Sequence, residues 1–252
     1  MPLYRDHAIV LRTHKLGEAD RIITFLTRHH GKVRAVAKGV RRTTSRIGAR
    51  TEPFMLVDVQ FYEGRNLDIV SQVETLEPYA RRISEDYALY TSATAMVETA
   101  DKLVDLEKEP ANEQYRLLHG ALGTLSRRGH DPGLVLDSFL LRSLSIAGYE
   151  PSFHECASCG KPGPHRAFVV AGGGAVCEAC RPSGAAAPAV ETFELLTGLL
   201  RGDWAAADAS EERYRREAAG LIAAYTQFHL ERKVRSLSHV DRSQPTRQAR
   251  PV

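Results

Sequence analysis

The chain has 252 residues, is 43% hydrophobic and carries a formal net charge of only +3. That length and composition suit two domains with real cores, and exclude a largely disordered chain. No run approaches the roughly 20 apolar residues of a membrane-spanning helix, and the opening residues Met1 to His7 turn polar at once, unlike a secretion signal. A cytoplasmic protein without a membrane segment is expected.

Residues 1 to 78 read as strands. Ala8–Thr13 and Arg21–Thr27 are β-rich, and Lys32–Lys38 alternates basic and apolar residues after the turn signal His30-Gly31. That period of two marks a half-buried strand. Phe54–Tyr62 and Leu67–Val73 supply two more. Five short strands suit a small closed barrel, because closure removes exposed edges. An OB-fold is the simplest such barrel, and an SH3-like barrel competes with it.

After Pro78 the pattern becomes helical. Ile83, Tyr87, Tyr90, Thr94, Val97 and Val104 recur at helical spacing up to a stop at Pro110. A second helix spans about Asn112 to Arg128. A third is punctuated by Asp131 as N-cap, Pro132 in the first turn and Gly148 at the end. Leu134–Ala147 within it is apolar on most sides, which places it mid-bundle. Further helices are expected over Val190–Leu200 and from about Ser210, the last with a buried stripe of Tyr214, Ala218, Leu221, Tyr225 and Phe228. The organisation is thus an α+β chain: a barrel domain at 1–78, a helical domain at 79–238 with a cysteine segment at 153–183, and a basic tail at 239–252 expected to be disordered.

All four cysteines fall in two pairs, Cys156-x-x-Cys159 and Cys177-x-x-Cys180. Each pair lets two thiolates converge from a tight turn, and two pairs complete a tetrahedral shell for one structural Zn2+ with no position left for substrate water. A redox dithiol pair, an iron–sulfur cluster and unmetallated thiols are the other readings. His154 and His165 lie close by, but beside a complete four-cysteine set they read as surface residues.

From Arg21 to Thr51 there is no acidic residue. Within that stretch Lys32, Arg34, Lys38, Arg41, Arg42, Arg46 and Arg50 are candidates for DNA phosphates, mixed with hydroxyls and glycine that suit such contacts. A merely solvated basic face is the competing reading. Phe25, Phe54, Phe61 and Tyr62 are the aromatics at hand, mostly at core positions, and none stands out as a base-stacking residue. Glu18 and Asp20 would repel phosphate and suit ordering of the first turn instead. A second basic zone, Arg232, Lys233, Arg235, Arg242, Arg247 and Arg250, fits a helix end and soluble tail as well as it fits DNA. Arg127, Arg128 and Arg142 beside the apolar third helix could rim a groove for an acidic, apolar-ended peptide, or simply lie in solvent.

Catalysis needs converging groups, and none of the usual sets occurs. There is no GxxxxGK[ST], GxSxG or HExxH, and no spaced acidic cluster for two metals. A non-enzymatic protein is expected.

Several stretches carry a resemblance: Tyr4–Arg12, Leu16–Arg21 and Gly31–Arg42, continued by Glu52-Pro53-Phe54, Leu67–Val70 and the junction Gly148–Pro151 leading into Cys156. Together they resemble the RecO family of recombination mediators. The resemblance spans nearly the whole chain and is most specific over residues 4 to 42; the basic tail has no match in it. It implies an OB-fold, binding of single- and double-stranded DNA, annealing of complementary strands, and a nucleoid-associated location. It also implies partnership with RecR, engagement of the C-terminal tail of single-stranded-DNA-binding protein, and, indirectly, loading of RecA. A zinc-containing nucleic-acid-binding regulator without annealing activity, or a scaffold with a solvated loop, remains the rival.

Overall fold

The computed structural model describes residues 2–42, 45, 47–230 and 234–240. The chain forms two compact units, Met1–Arg127 and Arg128–Val252. The boundary read at residue 78 marks where strands give way to helices; the first compact unit runs on to Arg127 and includes the helices that follow the barrel.

In the first unit, β1 (Leu3–Leu16), β2 (Asp20–Thr27), β3 (Lys32–Ala37), β4 (Leu56–Tyr62) and β5 (Asp68–Glu77) close a barrel in the order β1-β2-β3-β5-β4. The parallel pairing of β3 with β5, only at Ala35–Asp68 and Val36–Ile69, closes it, and the barrel is an OB-fold. β1 is long enough to pair with β4 through its first half and β2 through its second, with an irregularity between Val10 and Arg12 where it bends. Period-two alternation turns Val33, Ala35 and Ala37 of β3 inward with Val10, Phe25 and Phe61, all fully buried. Lys32, Arg34 and Val36 therefore face outward. Strand β4 starts two residues later than read, because Phe54 takes φ 72, a left-handed conformation rare for a bulky residue.

Helices α1 (Tyr79–Ile83), α2 (Tyr87–Leu103) and α3 (Asn112–Arg127) complete this unit. The single helix expected after Pro78 breaks at Asp86, whose carboxylate accepts from the Ala88 and Leu89 N–H groups and caps a new helix. The buried stripe of α2 is Leu89, Ala93, Met96, Val97 and Ala100. Tyr87 and Tyr90, part of the helical period read from the sequence, are 63% and 46% exposed. Leu89, Met96 and Val97 with small alanines between them, not the tyrosines, carry the packing face.

In the second unit α4 (Pro132–Ile146) is capped by Asp131 as expected and packs against α5 (Val190–Arg201) and α7 (Glu212–His229). Nearly every α4 side chain from Leu134 to Leu141 is buried. A short helix α6 (Trp204–Ala209), not foreseen, follows the left-handed Gly202, and Asp203 caps it through the Ala206 N–H. Trp204, the only tryptophan, stacks on His130 with ring centroids 4.2 Å apart, and His130 bonds Asp208 at 2.7 Å. In α7 the buried residues are Ala218, Ala219, Ile222, Tyr225 and Thr226; Phe228 is exposed, contrary to expectation. Of the second basic zone, Arg235 lies in a 3-10 turn, Arg235–His239. Its other members, and the tail from 241 onward, lie outside the described residues.

Candidate metal centre and nucleic-acid interface

The cysteine segment folds as a small hairpin, β6 (Ala167–Val169) and β7 (Gly174–Val176), with the glycine run turning between them. Its own core is only Cys156, Ala167, Val176 and Cys177 with a few partly buried neighbours. So small a cluster cannot balance the entropy of ordering the segment, and a metal would supply what is missing. The ligand atoms of Cys156, Cys159, Cys177 and Cys180 all lie within 4.8 Å of one another, and the Cys159 and Cys177 sulfurs are 3.8 Å apart. A tetrahedral ion with metal–sulfur bonds of about 2.3 Å needs sulfurs about 3.8 Å apart. The four residues therefore fit a tetrahedral metal. The Cys177 N–H points at the Cys156 sulfur at 3.3 Å, and that hydrogen bond leads the effects that pull the Cys156 thiol down to about 6. Phe168 on β6 anchors the hairpin, with its ring 6.3 Å from Phe153 and 6.0 Å from Tyr225.

The basic stretch of the barrel is divided. Lys32, read as a phosphate contact, is turned away from solvent. Its side chain is only 10% exposed, and its ammonium donates to the Asp101 carbonyl at 2.9 Å with the Asp101 carboxylate 3.6 Å away. Arg12 pairs with the same carboxylate at 2.8 Å. Arg34 is outward and half-exposed, but Glu107 sits on it. The last turn of α2, through Asp101, and the connection from α2 to α3, through Glu107, thus lay carboxylates over the outer face of β1–β3. The connection is seated there by the Lys108 N–H donating to the Lys32 carbonyl and by Lys108 pairing with Asp68 at 3.1 Å.

The loop from Lys38 onward differs. Lys38, Arg41, Arg42 and Arg50 are exposed. Arg41 donates to the Gly17 and Glu18 carbonyls, and Arg50 to the Val73 carbonyl at 2.7 Å. Carbonyls orient a guanidinium without cancelling its charge. Asp20 accepts from the Gly39 N–H at 2.7 Å, tying the β1–β2 turn to this loop. Arg46 lies outside the described residues.

Arg142 lines a cavity of about 510 Å3 in the second unit, together with Arg201, Ile146, Leu200, Phe153 and His154. Glu150 and Glu155 share its lining, and Glu150 is engaged by the Ser145 hydroxyl. Arg127 ends α3 in the first unit and Arg128 opens the second; neither lines this cavity. Arg201 was not singled out from the sequence, since nothing local distinguishes a helix-terminal arginine.

The family model for the Recombination protein O N terminal matches residues 1–79, and that for the Recombination protein O C terminal matches residues 84–238. The chain belongs to the RecO family. It is 58% identical over 243 residues to the DNA repair protein RecO of Thermobifida fusca, covering 96% of this chain and all of that one. Over 248 residues it is 58% identical to the DNA repair protein RecO of Streptomyces coelicolor, with the same coverage. A role in DNA repair and recombination follows from membership of the RecO family. Among the described residues no helix is long and apolar enough to cross a membrane.

Proposed function

We propose that this RecO-family chain is a non-catalytic mediator that binds single- and double-stranded DNA and anneals complementary single strands. In this reading it acts with RecR to help load RecA, in the cytoplasm and associated with the nucleoid. The observation that carries it is the exposed loop bearing Lys38, Arg41, Arg42 and Arg50, none of which forms an ion pair among the described residues. Two strands repel through their phosphates, and cations that neutralise both let them approach, so no covalent step is needed. Arg46 belongs to the same connection, and Arg34 joins it where Glu107 yields. The metal is one structural Zn2+, since four thiolates in a tetrahedral set favour zinc and leave no open position.

The test is a double variant, Arg41→Ala with Arg42→Ala. The slope of log affinity against log salt on single strands should flatten by about 1.4, roughly 0.7 per lost phosphate contact. Annealing of complementary oligonucleotides should weaken in parallel, without sequence preference. An unchanged slope would remove the loop from the DNA site, and sequence-selective binding without annealing would favour the regulator reading.

The acidic tail of single-stranded-DNA-binding protein is the proposed peptide partner. Arg142 and Arg201 beside the apolar Ile146, Leu200 and Phe153 support its cavity as the seat. Titration with a short aspartate-rich peptide ending in an apolar residue should show saturable binding, weakened by Arg142→Ala. Equal binding by the variant would exclude the cavity.

A further inference from the structure

Proteins that hold single strands combine a cationic path for the backbone with aromatic rings on which bases stack. The aromatics weighed from the sequence do not serve here. Phe25, Phe54 and Phe61 are buried, and Tyr62 lies at the opposite end of β4 from the basic loop. The structure offers a different pair. Tyr87 and Tyr90 stand three residues apart on α2, which places them on one face of the helix. Both are exposed, although the neighbouring face of the same helix is packed.

Several contacts bring this pair to the end of the barrel that carries the basic loop. The Tyr90 ring meets Phe54 edge-on, with centroids 5.7 Å apart. Phe54 directly follows the loop, and its left-handed backbone holds the ring beneath Tyr90. A bulky residue is strained in that conformation, and such strain persists where the surroundings enforce it. Strand β5 ends with Glu77 opposite Leu56, two residues after Phe54, and α1 starts directly beyond it at Tyr79. Arg81 and Arg82, exposed in the last turn of α1, therefore flank the same end. The carboxylate of Asp86, next to Tyr87, is turned onto the backbone of α2 as its cap.

We propose that Tyr87 and Tyr90 form a stacking platform for unpaired bases, with the strand's phosphates passing along Lys38, Arg42, Arg81 and Arg82. The proposal rests on the DNA-binding reading above and adds a preference to it. Rings can stack only on bases that are not already stacked in a duplex, so the platform favours single strands. Tyr90 is held in place by Phe54, and Tyr87 extends the platform by one turn.

The test uses the full chain with Tyr87→Ala, Tyr90→Ala and Tyr90→Phe, titrated with a fluorescent single-stranded oligonucleotide and with the matching duplex. Each alanine variant should bind the single strand about tenfold more weakly. The salt slope should stay unchanged, because no phosphate contact is lost, and duplex affinity should barely move. Tyr90→Phe keeps the ring and should keep the affinity. Melting temperature checks the fold, and Tyr87→Ala, the more exposed site, serves if Tyr90→Ala loosens α2. Unchanged single-strand affinity in Tyr87→Ala, or an equal loss on duplex, would overturn the platform. If the Arg41/Arg42 variant still flattens the slope in that case, only the platform fails; if it does not, the DNA-binding reading of the loop fails as well.

Discussion

The Glu107 carboxylate lies 3.3 Å from the Arg34 guanidinium, and both side chains are partly exposed. Nucleic acid approaching the outer face of β3 meets this ion pair before it meets a free cation. An exposed pair is worth less than about 1 kcal/mol, so a phosphate can compete with the carboxylate, but at a cost. Glu107→Gln should therefore raise affinity for single strands and steepen the salt slope by about 0.7, one further phosphate contact. Arg34→Ala in the same background should cancel both changes. A Glu107→Gln protein with wild-type affinity and slope would show that Arg34 has no part in the path.

Metal removal separates the two halves of the molecule. Protein purified without added metal should contain about one zinc per chain by elemental analysis. Cys177→Ser, or a strong chelator, should abolish it and lower the melting temperature, because the hairpin core of Cys156, Ala167, Val176 and Cys177 is too small to hold alone. Affinity for DNA through the barrel loop should be retained. A metal-free protein with unaltered melting would refute a structural ion.

Gly31 has φ 63, and a Cβ built there would fall 1.7 Å from the Glu109 carbonyl oxygen. The connection that carries Glu107 passes that close to the β2–β3 turn. Gly31→Ala should therefore destabilise the first unit by about 2 kcal/mol or more, through backbone strain and displacement of the connection. Chemical denaturation followed by circular dichroism reads this directly.

His119 lies between Tyr79 and Tyr115, with ring centroids 6.1 Å from each. Burial, aided by Arg127 and His7 against the opposing pull of Glu77, holds its imidazole below the ordinary histidine value. The unfolded chain then binds this proton more readily than the folded one. Stability from this group is complete above about pH 6.5 and is lost as pH falls below that toward the lowered value. His119→Gln should flatten the fall in melting temperature between about pH 7 and about pH 5. An identical profile in the variant would assign the acid sensitivity elsewhere.

What could be read before folding was local. The two cysteine pairs declare themselves by spacing, and β3 by its alternation. Asp131 marks the start of α4 because a cap acts within three residues. Partners distant in sequence escaped that reading. Lys32 looks like any strand cation until Asp101, 69 residues on, closes over it. Tyr87 and Tyr90 fit a helical period, but the phase of α2 was set by the Asp86 cap and by alanines too small to register as a stripe. The helix at Trp204 is a single short piece with no repeat for periodicity to find. The cavity at Arg142 depends on Arg201 arriving from another helix, which no pattern along one helix reports.

The stack of Trp204 on His130 gives the chain a built-in optical probe. No other indole exists to dilute its signal, and the barrel, the loop and the tyrosine pair all belong to the other compact unit. Indole emission therefore follows the half that carries the four cysteines alone, while tyrosine and far-ultraviolet signals follow both. If the halves unfold at different denaturant concentrations, the indole curve and the far-ultraviolet curve will part, and their separation measures how far one half can lose its structure while the other keeps its own.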